Sequence, residues 1–389
     1  MHVCLTHLWY PADARDPDAL IDADVTRRGF GGALAARGHR VTVVREAPWR
    51  ATVVRDGVTW ELVPPSAFTR ASRRTIGALG HPWPIVPAPA TALVPVVEAL
   101  RPDVIHSFDL ALYPSLALLG GAARRLGVPL VAHFHGGAPA RNPAWRAIER
   151  LALARADRLL FTTRAHGRAW VASGALPDEA RIVELFETST FLRAPVDPAG
   201  RAAARARTGL DGLVFLCPGR LDAVKDPLTT LAGFARVAAA RPEARLVMVW
   251  NSGELEAEVR RIVANDPVLA PRVELRGAVP HGHMADLYAS ADVVLQSSVR
   301  EVCGVAIVEA LACGVAPVVP DIPAFRRLTD GGRVGRLFPR GDAVALAAQA
   351  LALLDAPVPR ADVRGWFERA LSFEVLAAEL EGIYAAARG

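Results

Sequence analysis

Residues 291–320 read ADVVLQSSVREVCGVAIVEALACGVAPVVP. ADVVLQSS (291–298) is a short apolar run of strand length. EVCGVAIVEALACG (301–314) reads as a loop running into a helix, and VAPVVP (315–320) is strand-like again. Strand, helix, strand within about 30 residues is a parallel βαβ unit. The same alternation extends outward in both directions. LVFLCPG (213–219), ARLVMVW (244–250) and RVELRG (272–277) precede it in the carboxyl half. In the amino half HVCLTHL (2–8), HRVTVV (39–44), PDVIHSF (102–108), PLVAHFHGG (129–137), ADRLLFTT (156–163) and RIVELF (181–186) read as strands. DVTRRGFGGALAARG (24–38) is the first helix, with Gly38 as its stop. TFLRAPVDPAGRA (190–202), rich in proline and turn formers, reads as a linker. The expectation is an α/β chain of two Rossmann-like parallel-sheet domains facing a cleft, with ligands beyond the carboxyl ends of the strands.

Length and composition fit this. The chain has 389 residues, 52% apolar and 22% charged, which excludes a disordered chain and supplies two cores. Its 4 cysteines form no CxxC pair, so neither a disulfide framework nor a zinc knuckle is expected. The net charge is 45 − 40 = +5, without basic blocks, so nucleic acid is not an expected partner. The amino terminus shows no targeting pattern. Residues 75–97 carry no charge and have the length of a membrane helix. Five prolines, at 82, 84, 87, 89 and 95, make this a Pro-rich surface loop leading into a helix. A peripheral membrane contact stays open, and a cytoplasmic location is expected, with the inner membrane face as the place of any such contact.

The chemistry-bearing residues cluster in the carboxyl half. Glu301 belongs in the loop after a strand and Glu309 one to two turns into the next helix. Both carboxylates can accept hydrogen bonds from sugar and ribose hydroxyls. Gly304 lets N–H groups at the helix start approach a phosphate. A bare E-x7-E pair reads as the face of a solvated helix; the flanking strand, Gly304 and the following ALACGVAPVVP turn the reading to a site. PGRLDAVKDP (218–227) also follows a strand. Arg220 and Lys225 can place two positive charges on a diphosphate, one as a planar fork and one as a point charge. A solvated basic turn is the plain alternative.

PGRLDAVKDP, the E-x7-E stretch and GRVGRLFPRGD (332–342) together resemble glycosyltransferase family 4, of the GT-B fold. RRGFGGALAARGHRVTVV, PDVIHSF and the closing SFEVLAAELEGIY extend the resemblance over nearly the whole chain. It implies a retaining, nucleotide-sugar-dependent hexosyltransferase. It also implies an acceptor domain at 1–192, a donor domain at 200–372 and a closing helix at 373–389 that packs on the first domain. Gly219, Arg220, Lys225, Gly304 and Val305 would meet the donor diphosphate, Glu301 the donor sugar and Glu309 the ribose. His135, in HFHGG, matches a position near the donor sugar. There it would join Arg220, Lys225 and Glu301 as catalytic, by donating to a hydroxyl or supporting the forming cation through its backbone. A structural histidine at a strand end is the plain alternative. No cofactor and no metal are implied, because Arg, Lys and helix termini replace the metal. The partners expected are a nucleotide-diphosphate sugar and a hydroxyl acceptor on a glycan, a lipid-linked or a small natural product. Oligomeric state is not legible.

The chain also departs from the family pattern. The Gly-Gly of the first loop is replaced by Ile21 and Asp22. The Asn-Gly-Val-Asp stretch before the linker is ELFETSTF, with Glu187 near the Asp position. WNSG (250–253) replaces Gly-x-Gly. Asp22, His106 and Asp109 are the acceptor-binding candidates, while His133 reads as packed in its strand. No covalent nucleophile stands out, so same-face attack with the leaving phosphate as base is expected. A GT-B sugar epimerase and a catalytically silent nucleotide-sugar-binding homologue are the other readings. A phosphorylase would need a lysine for pyridoxal phosphate, and Lys225 is the chain's only lysine.

Overall fold

A computed structural model describes residues 1–11, 14–78, 88–188 and 190–389. The described chain divides into two compact units, Met1–Ser189 with Phe373–Gly389, and Thr190–Ser372.

The first unit holds β1 (His2–His7), β2 (Arg40–Glu46), β3 (Ala51–Arg55), β4 (Val58–Val63), β5 (Val104–Ser107), β6 (Leu130–His133), β7 (Arg158–Phe161) and β8 (Ile182–Glu184). They pair in the order β3-β4-β2-β1-β5-β6-β7-β8. Every neighbouring pair is parallel except β3–β4, an antiparallel hairpin that the expectation of purely parallel sheets omits. Its Asp56-Gly57 turn has φ of 52° and 75°, the backbone a tight hairpin requires. Strands β1, β5 and β6 are buried along their whole length, because helices cover both faces.

The helix Val25–Ala36 follows β1, with Asp24 as its N-cap. Residues 21 and 22, expected in a loop, close a separate short helix, Pro17–Ala23. Its start is local chemistry: Pro17 opens it and the Asp16 carboxylate accepts from Ala19 N at 2.8 Å. The final helix, Phe373–Arg388, packs on Val25–Ala36. Phe373 lies against Phe30 edge-on at 5.4 Å, in space left by Gly29, where a Cβ would fall 2.1 Å from the ring.

The second unit holds β9 (Leu213–Pro218), β10 (Ala244–Val249), β11 (Val273–Gly277), β12 (Val293–Leu295), β13 (Pro317–Pro320) and β14 (Arg336–Phe338). They pair in the order β11-β10-β9-β12-β13-β14, all parallel. Chain order reverses between β9 and β12, so the loops after these two strands open side by side. The first sheet has the same reversal between β1 and β5. Both expected Rossmann-like sheets are therefore present. The stretch read as a linker is irregular only to Asp197, which caps the helix Pro198–Thr208.

Of the Pro-rich window, residues 79–87, with the prolines at 82, 84 and 87, lie outside the described residues. Thr75 to Ala78 end a helix, Ala67–Ala78, rather than beginning a loop. Pro95 is in the first turn of Leu93–Leu100, where its missing N–H costs no helical bond. Among the described residues no helix is long and apolar enough to cross a membrane.

Candidate functional site

The β9/β12 reversal gathers the carboxyl-half candidates. Gly219 follows β9 directly and lies beside Gln296, the first residue after β12. The loop from Arg220 is folded by Asp222, whose Oδ1 accepts from the Val224 and Lys225 N–H groups at 3.0 and 2.9 Å. Its Oδ2 accepts from Arg220 Nε at 2.7 Å. Burial pushes the Asp222 carboxyl up, but these donors outweigh it and hold it below the usual value. Val299 N donates to Val224 O at 2.8 Å and ties this loop to the one after β12.

Across that tie, Lys225 Nζ meets Glu301 Oε1 at 2.5 Å, and Ser298 Oγ donates to the same oxygen at 2.7 Å. Only 19% of the Lys225 side chain and 11% of the Glu301 side chain are exposed. The Arg220 side chain is half exposed.

Three residues on, Gly304 caps the helix Val305–Ala312 with φ 70° and ψ 50° and offers no side-chain cap. A Cβ there would lie 2.9 Å from the Phe325 ring, so glycine is required twice over, by backbone and by space. The first intrahelical bonds belong to Ile307 and Val308, which leaves the Val305 and Ala306 N–H groups ahead of the ladder. Glu309, in the same helix, is buried. Its Oε1 lies 2.8 Å from His281 Nε2 and its Oε2 2.9 Å from the Tyr288 hydroxyl. The bond to Glu309 raises the His281 pKa from its usual value, and burial holds the Tyr288 phenol well above its own. Sequence reasoning missed His281, Tyr288 and Ser298. It also missed Gln296, which is buried with neither amide atom partnered among the described residues.

The first unit brings a different set together, at the ends of β1, β5 and β6. Asp109 Oδ2 accepts from Leu8 N at 2.6 Å and its Oδ1 is 4.0 Å from His7 Nε2, so Asp109 joins the two loops at the chain reversal. Behind it Asp24, with no exposed side-chain surface, meets His7 Nδ1 at 3.0 Å and Arg27 and Arg45 at 2.5 Å each. Burial pushes the Asp24 carboxyl up, but Arg27, His7 and Arg45 prevail and hold it far below the usual range. The same burial, with Arg27 adding to it, lowers the His7 imidazole.

His106 is fully buried, with Nδ1 2.6 Å from the Tyr384 hydroxyl. That packing removes it from the surface an acceptor would meet. His133 is buried in its strand, as its sequence position implies. His135, just past β6, pairs through Nδ1 with Glu187 Oε1 at 2.7 Å. Asp22 does not join this group. It pairs with Arg28 and with Arg55, the latter at the β3–β4 turn, beside the opposite edge of the sheet. Among the described residues no group of three or more His, Cys, Asp or Glu is placed to hold a metal ion.

Two family descriptions match the sequence. Residues 24–185 match a glycosyl transferase 4-like domain, and residues 212–356 match glycosyl transferases group 1. The D-inositol 3-phosphate glycosyltransferase of Acidothermus cellulolyticus is 31% identical over 309 residues, 73% of this chain and 67% of that protein. Its namesake from Catenulispora acidiphila is 31% identical over 256 residues, 60% of each chain. The chain thus spans three fifths to two thirds of the length of these two curated relatives. A GDP-mannose-dependent monoacylated alpha-(1-6)-phosphatidylinositol monomannoside mannosyltransferase of Corynebacterium glutamicum is 26% identical, over 77% of this chain and 82% of that one. Among solved structures, Anabaena HepE in complex with UDP superposes with a TM-score of 0.68 at 16% identity, over 99% of this chain and 100% of the other. Sucrose-phosphate synthase of Thermosynechococcus elongatus gives 0.65 at 19% identity, over 99% and 98%. At such identities the structural likeness speaks for the fold.

Proposed function

We propose that this chain, which belongs to the nucleotide-sugar-dependent glycosyltransferases of the GT-B fold, moves a sugar from a nucleotide-diphosphate sugar to an acceptor hydroxyl with retention at the anomeric carbon. The observation that carries the reading is the meeting, at the β9/β12 reversal, of the only lysine, Glu301 and the uncapped helix start at Gly304. The hard step breaks the C1–O bond while negative charge grows on the diphosphate. Lys225, Arg220 and the Val305 and Ala306 N–H groups are the donors for that charge, in the manner of an oxyanion hole. Lys225 is paired with Glu301. An arriving diphosphate takes the ammonium, and the released carboxylate accepts from hydroxyls of the donor sugar. Glu309, eight positions further on, takes the ribose. The second unit is thereby the donor domain and the first the acceptor domain. No residue is cast as a covalent nucleophile; the leaving phosphate accepts the acceptor's proton.

The UDP in the Anabaena structure supports a uridine donor, and the Corynebacterium relative supports including GDP-mannose. The acceptor is a polyhydroxylated small molecule, glycan or lipid-linked sugar. With it goes a cytoplasmic location, and fractionation of cell lysate into soluble and membrane pools tests that. The activity test is a panel of UDP-glucose and GDP-mannose with and without candidate acceptors. Release of nucleoside diphosphate with a new glycoside supports transfer. A nucleotide sugar changed only in configuration supports an epimerase, and binding without turnover a silent homologue.

A further inference from the structure

Glu187 lies where the chain departs from the family's Asn-Gly-Val-Asp stretch, and the donor chemistry makes no use of it. It is only 7% exposed and follows β8 by three residues. Strand β8 pairs with β7 and β7 with β6, so the carboxyl ends of all three share one edge. From the far side of β7, Glu187 Oε1 reaches His135 Nδ1 at 2.7 Å. A carboxylate so withdrawn from water needs a partner of this kind. The His135 ring is also packed, with ring centroids 4.7 Å from His133 and 5.4 Å from Phe108. The bond to a carboxylate puts a proton on Nδ1. Nε2 is buried and has no partner among the described residues. Both ring nitrogens are therefore turned inward. What the loop presents outward is main chain: a Cβ built on Gly136, the next residue, would meet nothing within 4 Å.

We infer that Glu187 is a positioning residue, which grips the His135 ring through Nδ1 and so fixes the main chain of the loop after β6 at the carboxyl edge of the first unit's sheet, the unit that takes the acceptor. The inference rests on the transferase reading. The carboxylate supplies an acceptor at one point, the two rings supply the walls, and the backbone that follows has no side chain of its own to hold it. An amide oxygen in the same place would accept the same proton; a methyl group would not.

The test uses the full chain, with His135 ring nitrogens assigned by their loss in His135→Gln. In the wild type Nδ1 carries a proton, and Glu187→Gln keeps both that signature and most of kcat. In Glu187→Ala the Nδ1–H signature is lost and kcat with the donor found in the panel falls on the order of 100-fold, the scale set by misplacing a reacting group by about 1 Å. UDP affinity stays at the wild-type value. An unprotonated Nδ1 in the wild type, wild-type kcat in Glu187→Ala, or a fall in UDP affinity matching the fall in kcat would each overturn the inference. Should Glu187→Ala not fold, the wild-type and Glu187→Gln spectra still decide it. If no nucleotide sugar is turned over, the transferase reading fails, while the ring spectra still report on the anchor.

Discussion

The carboxyl edges of the two sheets are built on one plan and charged in different ways. In the second unit the charged groups come from two short stretches, 218–227 and 301–309; Arg220 is half exposed, Lys225 and Glu301 are largely covered, and Glu309 is buried. In the first they come from His7, Asp24, Arg27, Arg45 and Asp109, spread over a hundred residues, and they are mostly buried. On the proposed reading the difference separates charge that serves a ligand from charge that serves the fold. Lys225 and Glu301 hold each other at one point, where Ser298 donates to the same carboxylate oxygen. Asp24 is held from three sides and has no exposed surface through which to exchange partners.

The largest effect expected is on stability, at the first edge. Replacing Asp24 by Ala strands two arginines in the interior, and breaking a buried pair in this way costs about 3–5 kcal/mol. Thermal or urea unfolding reads it directly. The pH dependence has a definite sign. The Asp24 carboxyl is held below its unfolded value, so its stabilisation is full above about pH 4 and is lost as pH falls further, toward the folded-state value. Asp24→Asn should flatten that acid limb. A wild-type acid limb in the variant would show the hub to be unimportant.

Next in size is turnover, at the second edge. Lys225→Ala and Arg220→Ala should each lower donor turnover by about 100- to 1000-fold, the cost of removing one donor from a developing oxyanion. The unfolding midpoint of Arg220→Ala should stay near wild type, since Arg220 is half exposed and bonds within its own loop. Lys225→Ala also deprives the Glu301 carboxylate of its ion partner and should lower the midpoint. Excess chelator should leave turnover unchanged, because on the proposed reading Arg220 and Lys225 supply the charge a metal would. Loss in chelator, restored by Mg²⁺ or Mn²⁺, would set the two edges back on equal terms as unassigned charge.

How much of this was legible in the sequence follows the same division. The βαβ rhythm and the residues 219–225 and 301–309 are local, and local patterns survive in a linear reading. The Asp24 hub is not local; it exists only because parallel pairing sets β1, β2 and β5 side by side. His281 reaches Glu309 from 28 positions away, and nothing in its surroundings in sequence marks it. The β3–β4 hairpin carries a readable Asp-Gly signal at 56–57, but it falls outside the strand–helix–strand rhythm. Strand β14, three residues long, is too short for any periodicity to show. Asp22 was placed by counting along a loop that proves to be a helix, and its arginine partners draw it from the working edge.

The division of labour between the two glutamates is the center of the functional account, and calorimetry of UDP against UDP-glucose tests it most directly. Glu309→Ala should weaken both ligands by about 1.5–3 kcal/mol, the value of a hydrogen bond to a charged group. Glu301→Ala should weaken UDP-glucose alone. It should leave UDP binding unchanged or tighter, because it frees the Lys225 ammonium from its ion pair. Equal weakening of both ligands by Glu301→Ala, or no effect of Glu309→Ala on either, would contradict the account.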